Sequence, residues 1–268
     1  MKSVLASAPA PDLHVNYRYM LSWARAVATE RPNARILDFG CGAGPAVRAA
    51  RAMGLPFFGA DSFYGGSEAR KEVEAAGMLG SAIREIRDGR IDFEDAAFDL
   101  ILSNQVFEHV EQLDRTLSEL SRILKKDGLL VCLFPTQEVV REAHCGVPFL
   151  HWLDKKSPDR RSYAASWHWA GSSHDKANKT REQWAADAVE WMDRYTFYRR
   201  RPEILREFSR YFSLSPAEDH YLTYRMLQSP LLRPLAPLVR IPPLRAGSRM
   251  FCRRFNGVVL VATPVPTL

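Results

Sequence analysis

Arg35-Ile-Leu-Asp-Phe39, running directly into Gly40-Cys-Gly-Ala-Gly44 and then Pro45, is the stretch that decides the fold. A short apolar run that breaks into three alternating glycines and continues as an Ala/Arg stretch to Met53 predicts strand, tight turn and helix. Pro45 suits the first turn of that helix, where a backbone N–H would have no partner. Leu55 to Ala60 follows as a second strand ending at Asp61, and Ser67 to Ala76 as a second helix, completing a βαβ unit. Upstream, Tyr19, Met20, Trp23 and Val27 recur at helical spacing between Val15 and Glu30, and Arg31-Pro-Asn33 stops the run. Downstream, Ala82 to Ile86, Phe98 to Ser103 and Leu129 to Phe134 read as strands. A helix from Leu113 to Lys125 and a turn at Lys126-Asp-Gly128 stand between the last two. Apolar runs without alternation, bounded by helices, indicate strands buried on both faces, hence an α/β protein with a doubly wound, mostly parallel sheet and helices on both sides.

The organisation expected is a lead-in helix in 1–33, a core in 34–135, an insertion in 136–200 and a closing segment in 201–268. The insertion holds five of the six tryptophans, with a helix from Arg181 to Asp193. So long an interruption is usually functional. The closing segment predicts a helix at Arg201 to Phe208, a strand at Phe212 to Tyr221 and a buried last strand at Gly257 to Ala262. Between them lies a Leu/Pro/Arg stretch, 229–254, whose prolines at 230, 234, 237, 242 and 243 argue against one continuous amphipathic helix.

The 268 residues, 46% hydrophobic and 25% charged, can bury one sizeable core and exclude a disordered or fibrous chain. A net charge of +6 permits an anionic partner without requiring a polyanion. Cys41, Cys132, Cys145 and Cys252 lie far apart with no C-x-x-C pair, which predicts neither disulfides nor a zinc module and favours a reducing compartment. The apolar stretch between Lys2 and Ala6-Ser-Ala8 is too short for an export signal, and no apolar run is long enough to span a bilayer, so a cytoplasmic location is expected.

The glycine turn lets a ligand approach the main chain closely, because no Cβ intervenes and positive φ is accessible. Asp61, 21 residues past Gly40, is placed to accept hydrogen bonds from a ribose diol. A dinucleotide fingerprint needs G-x-G-x-x-G for its pyrophosphate; here the spacing is G-x-G-x-G, with Pro45 at the third glycine position. Asp38, just before the loop, would repel phosphate and favour the ammonium of a sulfonium cofactor, which points to S-adenosylmethionine.

Leu37-Asp-Phe-Gly-Cys-Gly-Ala-Gly44, Asp61, Phe93-Glu-Asp-Ala-Ala-Phe-Asp99, Phe107-Glu-His-Val110 and Leu124-Lys-Lys-Asp-Gly-Leu-Leu-Val131 together resemble the class I S-adenosylmethionine-dependent methyltransferases with a methyltransferase-11-type domain. The resemblance covers residues 34–135. It implies a seven-stranded Rossmann-like sheet, the cofactor on the glycine loop with its ribose at Asp61, and the adenine near Arg87 to Asp92, where Asp88 is the candidate acid for the adenine amine. The cofactor-binding set expected is Asp38, Gly40, Cys41, Gly42, Gly44, Asp61, Ser62, Asp88, Ser103 and Asn104.

Methyl transfer from a sulfonium depends chiefly on alignment of the acceptor, and a histidine would help to deprotonate a hydroxyl. His109 is the first candidate base, because it follows the fourth strand at the edge where open α/β sheets bind ligands; His144 and His151, in the insertion over the same edge, are the others. Some quinone-pathway O-methyltransferases hold a metal with Glu-x-x-Glu-His. Here Gln105 replaces the first acid of Gln105-Val-Phe-Glu-His109, so no metal is expected. Neither an Asn-Pro-Pro-Tyr-like run nor a Pro-Cys nucleophile stands near Ser103-Asn-Gln105, which argues against a nucleic-acid acceptor.

The aromatic insertion suits a small-molecule or glycan-type acceptor, though it equally suits a satellite core. Between Arg199 and Arg254, 12 arginines face 4 acids in the sequence, and 229–254 could meet an anionic membrane surface or a phosphorylated acceptor. The function expected is O-methylation of a small acceptor. The alternatives are a nucleic-acid methyltransferase and a silent cofactor-binding scaffold at a membrane.

Overall fold

The computed structural model describes residues 12–65, 68–171 and 179–265. Helix α1 (Val15–Glu30) leads into β1 (Ile36–Phe39), α2 (Pro45–Ala52), β2 (Phe57–Asp61), α3 (Ala69–Ala75), β3 (Ile83–Glu85) and β4 (Phe98–Asn104). Then follow α4 (Leu113–Ile123), β5 (Leu124–Phe134), α5 (Asp159–Trp169), α6 (Arg181–Tyr195), α7 (Arg201–Phe208), β6 (Phe212–Pro216), α8 (Glu218–Leu227), α9 (Pro242–Phe255) and β7 (Val258–Pro264).

The seven strands form one sheet in the order β3-β2-β1-β4-β5-β7-β6. The first five are parallel; β7 runs antiparallel between β5 and β6. The order reverses between β1 and β4, where Phe39 lies beside Ser103. A crevice therefore opens beyond the carboxyl ends of these two strands, as in other doubly wound sheets. Apolar residues cover both faces: Tyr19, Trp23, Val47 and Tyr221 belong to one core layer, and Leu117, Leu120, Ile204 and Phe208 to the other. Asp99 anchors the start of β4 by accepting from the Arg35 amide at 3.0 Å and pairing with Lys125 at 2.8 Å. That is a structural task.

Two segments differ from the sequence expectation. Phe212 to Tyr221 is not one strand: β6 ends at Pro216, and the chain turns into α8, whose first turn carries Glu218 and Asp219, the residue type a helix N-terminus favours. Lys126-Asp-Gly128 is not a separate turn, because β5 begins at Leu124, which already pairs with Phe98 ahead of a register shift. The second helix begins at Ala69; Ser67, and the amino-terminal Lys2 and Ala6-Ser-Ala8, lie outside the described residues. Among the described residues no helix is long and apolar enough to cross a membrane.

The insertion has a satellite core of its own, built from Cys145, Val147, Leu150, Ala164, Trp184 and Met192. Its aromatic residues divide accordingly: Trp184 is buried there, whereas Trp191 and Tyr195 face Tyr64 of the loop after β2.

Candidate active site

Gly40, Gly42 and Gly44 all adopt positive φ, at 76°, 53° and 77°. The three have different reasons. A Cβ on Gly40 would stand 2.2 Å from Val106 Cγ2, and one on Gly44 2.6 Å from Ile83 Cδ1, so both permit close packing. A Cβ on Gly42 would meet no protein atom within 4 Å; it would project into open space above the loop. Asp61 holds this turn from the tip of β2. Its Oδ2 accepts from the Gly42 amide at 2.8 Å and its Oδ1 from the Phe63 amide at 2.7 Å. Each carboxylate oxygen keeps a further lone pair, so the same side chain can accept from a diol.

Gly40, Gly42, Asp61, Ser62, Asp88 and His109 line one cleft of about 650 Å³. Behind the loop, Cys41, Gly42, Asn104, Asn16, Tyr17 and Asn256 line a second space of about 630 Å³, and both spaces reach Gly40, Gly42 and Gln105. Asp88, exposed at the cleft's far end, adopts a left-handed turn at φ 47°, and its carbonyl accepts from Arg115. Cys41 is buried, and burial pushes its thiol far above the usual range, so it acts as a filler. Ser103 lies buried on β4.

Among the described residues, Asp38 Oδ2, Ser103 Oγ and Asn104 Oδ1 are buried polar atoms of this site with no hydrogen-bond partner. Burial, and then the charge of Asp61, push the Asp38 carboxyl up to about 8. An unpartnered buried carboxyl costs free energy until a cation or donor meets it. This buried acid, the open cradle at Gly42 and the free lone pairs of Asp61 fit an adenosyl amino acid. Asp38 would hold the ammonium, Asp61 the ribose, and the Gly40–Gly44 backbone the body of the ligand.

His109 and His144 come together although the sequence gives no sign of their pairing. Their Nε2 atoms are 3.1 Å apart. His109 Nδ1 donates to the Tyr195 carbonyl at 2.6 Å, since a carbonyl only accepts. His144 Nδ1 lies 2.7 Å from Glu142 Oε1. Burial alone would raise Glu142, but the hydrogen bond and charge of His144, with donors from the Cys145 amide and Tyr198, hold it down to about 2. Glu142 is therefore ionised, and the Nδ1 facing it carries the proton. With both imidazoles neutral, each Nε2 keeps a lone pair directed at the other. Burial, followed by the nearby His144, lowers His109. His109 faces the cofactor cleft and His144 an adjoining cavity of about 410 Å³ walled by Trp184, Trp191 and Met192, with Lys179 and Asp187 at its rim. His151 is not brought there; its buried ring packs on Tyr198 at 4.7 Å.

Glu108 is fully buried, and neither carboxylate oxygen has a hydrogen-bond partner among the described residues, although His109 Nε2 stands 4.0 Å from Oε1. Burial, and then the charge of Glu142, raise it to about 8. Glu108, His109 and His144 offer ligand-type atoms within 4.8 Å of one another. Glu142 and Tyr17 are site residues that the sequence did not single out.

A doubly wound seven-stranded sheet with an acid-tipped glycine cleft at its switch point defines a class I S-adenosylmethionine-dependent methyltransferase, and S-adenosylmethionine is the cofactor of that class. The model of the family described as methyltransferase domain matches residues 12–193, and the chain belongs to that family. It is similar to a ubiquinone biosynthesis O-methyltransferase of Bartonella bacilliformis, 28% identical over 132 residues, covering 48% of this chain and 53% of that one. The enzyme of the same name from Maricaulis maris is 29% identical over 106 residues, covering 38% of this chain and 42% of its own. The chain thus spans about half the length of the curated relatives it matches. The crystal structure of an S-adenosylmethionine dependent methyltransferase from Mesorhizobium loti superposes with a TM-score of 0.53 at 16% identity, over 95% of this chain and 99% of that one. That likeness concerns the fold.

Proposed function

We propose that this chain transfers the methyl group of S-adenosylmethionine to a hydroxyl oxygen of a small-molecule or glycan-type acceptor. Residues 34–135 hold the cofactor, and 136–200 close over the acceptor. When bound, the cofactor supplies a methyl group on a sulfonium, a leaving group that needs no further activation. The chain's own task is to fix the acceptor oxygen in line and to receive its proton. The aromatic cavity beside His144 provides flat apolar walls for a ring, with the Lys179–Asp187 ion pair, 2.6 Å apart, among its lining residues. Methylation of the acceptor oxygen would break the carbon–sulfur bond and leave a neutral thioether, while the hydroxyl proton would pass to Nε2 of His109 or of His144 and Glu142 would balance the resulting charge.

The observation that carries this proposal is the histidine pair at the boundary of cofactor cleft and aromatic cavity. Two O-methyltransferases among the relatives support oxygen as the methylated atom. The test is methyl transfer from labelled cofactor across a panel of phenols, catechols and sugars, with the product atom identified by mass spectrometry. His109→Ala and His144→Ala should each lower turnover on the best hydroxyl acceptor by about 10²-fold or more while leaving S-adenosylhomocysteine affinity nearly intact. Unchanged turnover across a pH series would remove the pair from the reaction. A nucleic-acid acceptor would instead show affinity that falls steeply with salt.

A second reading is favoured by Glu108, whose buried carboxylate has no hydrogen-bond partner among the described residues and lies beside the two histidines. A divalent cation there would be held by Glu108, His109 and His144 and would polarise the acceptor oxygen. Dialysis against a chelator, followed by addition of magnesium, manganese or zinc, separates the two. Turnover indifferent to this treatment excludes the metal.

A further inference from the structure

Helix α9 is built inside out. A surface helix ordinarily turns its apolar stripe inward and its charges to water. Here Arg245, Arg249 and Arg253 face the body: Arg245 and Arg249 donate to the two oxygens of Asp219 at 2.8 and 2.7 Å, and Arg253 donates to Glu218 at 2.6 Å. Leu244, Met250, Phe251 and Phe255, at helical spacing on the other side, are exposed, with Phe251 and Phe255 in ring contact at 4.7 Å.

The preceding 3-10 helix, Arg233–Arg240, continues the same surface. With three residues per turn, side chains at i and i+3 stand directly above one another. Ala236 and Val239 form the buried ridge; Leu232, Leu235, Leu238 and Ile241 form an exposed one. Pro234, Pro237 and Arg240 form a third, also exposed. Large hydrophobic side chains of 231–255 therefore make one outward face, and contiguous patches of this kind mark interaction sites.

The charge of this face selects its occupant. Arg233, Arg240 and Arg254 have no carboxylate partner among the described residues, and the sequence from His220 to Leu268 contains no Asp or Glu. Apolar ridges with unneutralised arginines and no acid complement a bilayer that bears anionic headgroups: side chains enter the acyl boundary and guanidinium groups remain among phosphates. The arginines nearest the protein body are already committed to Glu218 and Asp219, so they hold the helix in this orientation rather than bind lipid.

We propose that the surface formed by the 3-10 helix and α9 docks the protein peripherally on an anionic lipid bilayer. This docking does not depend on the methylated acceptor, and it is tested apart from turnover. The full chain is sedimented with vesicles of phosphatidylcholine alone and of phosphatidylcholine with about one third phosphatidylglycerol. Partition onto the anionic vesicles should be at least about tenfold stronger and should weaken with salt. Leu235→Glu with Leu238→Glu, and separately Met250→Glu with Phe251→Glu, should each lower it by about tenfold or more. Because these side chains are exposed, melting temperature and S-adenosylhomocysteine binding should not change. Arg245→Gln with Arg249→Gln should instead lower the melting temperature. Failure to bind anionic vesicles, or variants that bind them as well as the parent, would overturn the proposal. So would a concentration-dependent dimer in sedimentation velocity that the same variants abolish, since the face would then pair two copies of the chain.

Discussion

Replacing Gly42 by alanine separates binding from folding, because its two costs fall in different places. Gly42 sits at φ 53°, and a Cβ there meets no protein atom within 4 Å. The folded chain therefore bears only the strain of a left-handed alanine, about 1–2 kcal/mol. For a chain of this size that is a fall in melting temperature of roughly 2–8 °C. The hydrogen bond from the residue 42 amide to Asp61, at 2.8 Å in the parent, requires no change. The new methyl group, however, projects into the space above the loop where the ligand's body would lie. Overpacking of a close contact costs about 1–3 kcal/mol, which is roughly 5- to 150-fold in affinity. Calorimetric melting and titration with S-adenosylhomocysteine on the same preparation measure both. Gly40→Ala is the contrast: Val106 Cγ2 at 2.2 Å must give way, so stability suffers first. A Gly42→Ala protein that melts slightly lower yet binds S-adenosylhomocysteine as tightly as the parent would refute the placement of the ligand over this loop.

Asp61→Ala should weaken S-adenosylhomocysteine binding by about 1.5–3 kcal/mol, the worth of hydrogen bonds to a charged group, and unchanged titration heats and affinity would count against its role at the ribose. Asp38 gives a pH signature: its carboxyl, raised to about 8, is protonated in the free protein at pH 6 but must ionise to hold an ammonium. Affinity should therefore rise by up to about tenfold per pH unit from pH 6 to 8, with proton release, and Asp38→Asn should flatten the slope. Glu142, held down to about 2, favours the folded state above the ordinary glutamate pKa and loses that contribution as pH falls from about 4.5 towards 2. Thermal melts should show the parent more stable than Glu142→Gln at pH 7, with the gap closing through that acid window; a gap independent of pH would exclude an ionised Glu142.

What the sequence disclosed was local. Strand, glycine turn and helix at residues 35–52 were legible because Gly40, Gly42, Gly44 and Pro45 each impose a backbone condition that neighbours cannot override. Helices α1 and α7 began and ended where their apolar spacing and the flanking residues placed them. The Phe212 to Tyr221 segment misled because the strand-like start at Phe212 and Leu214 was carried on to Tyr221 past Pro216, whereas burial of Tyr221 beneath α1 and the acids at 218 and 219 make a helix there. The group proposed to take up the acceptor's proton was legible only in part. His109 and His144 stood out as residue types, but Glu142 did not, since its partner Tyr198 lies 56 positions away and only the folded insertion joins them. Likewise, the arginine count of 199–254 recorded an excess of charge without telling which side chains face inward. The ion pairs to Glu218 and Asp219 decide that.

The most direct measurement is titration calorimetry of the unaltered protein with S-adenosylhomocysteine beside the same titration with nicotinamide dinucleotides. Saturable heat at one site per chain with the first and none with the second is the expected outcome. Binding of the dinucleotide, with S-adenosylhomocysteine giving no heat, would contradict the assignment of this cleft to an adenosyl sulfonium.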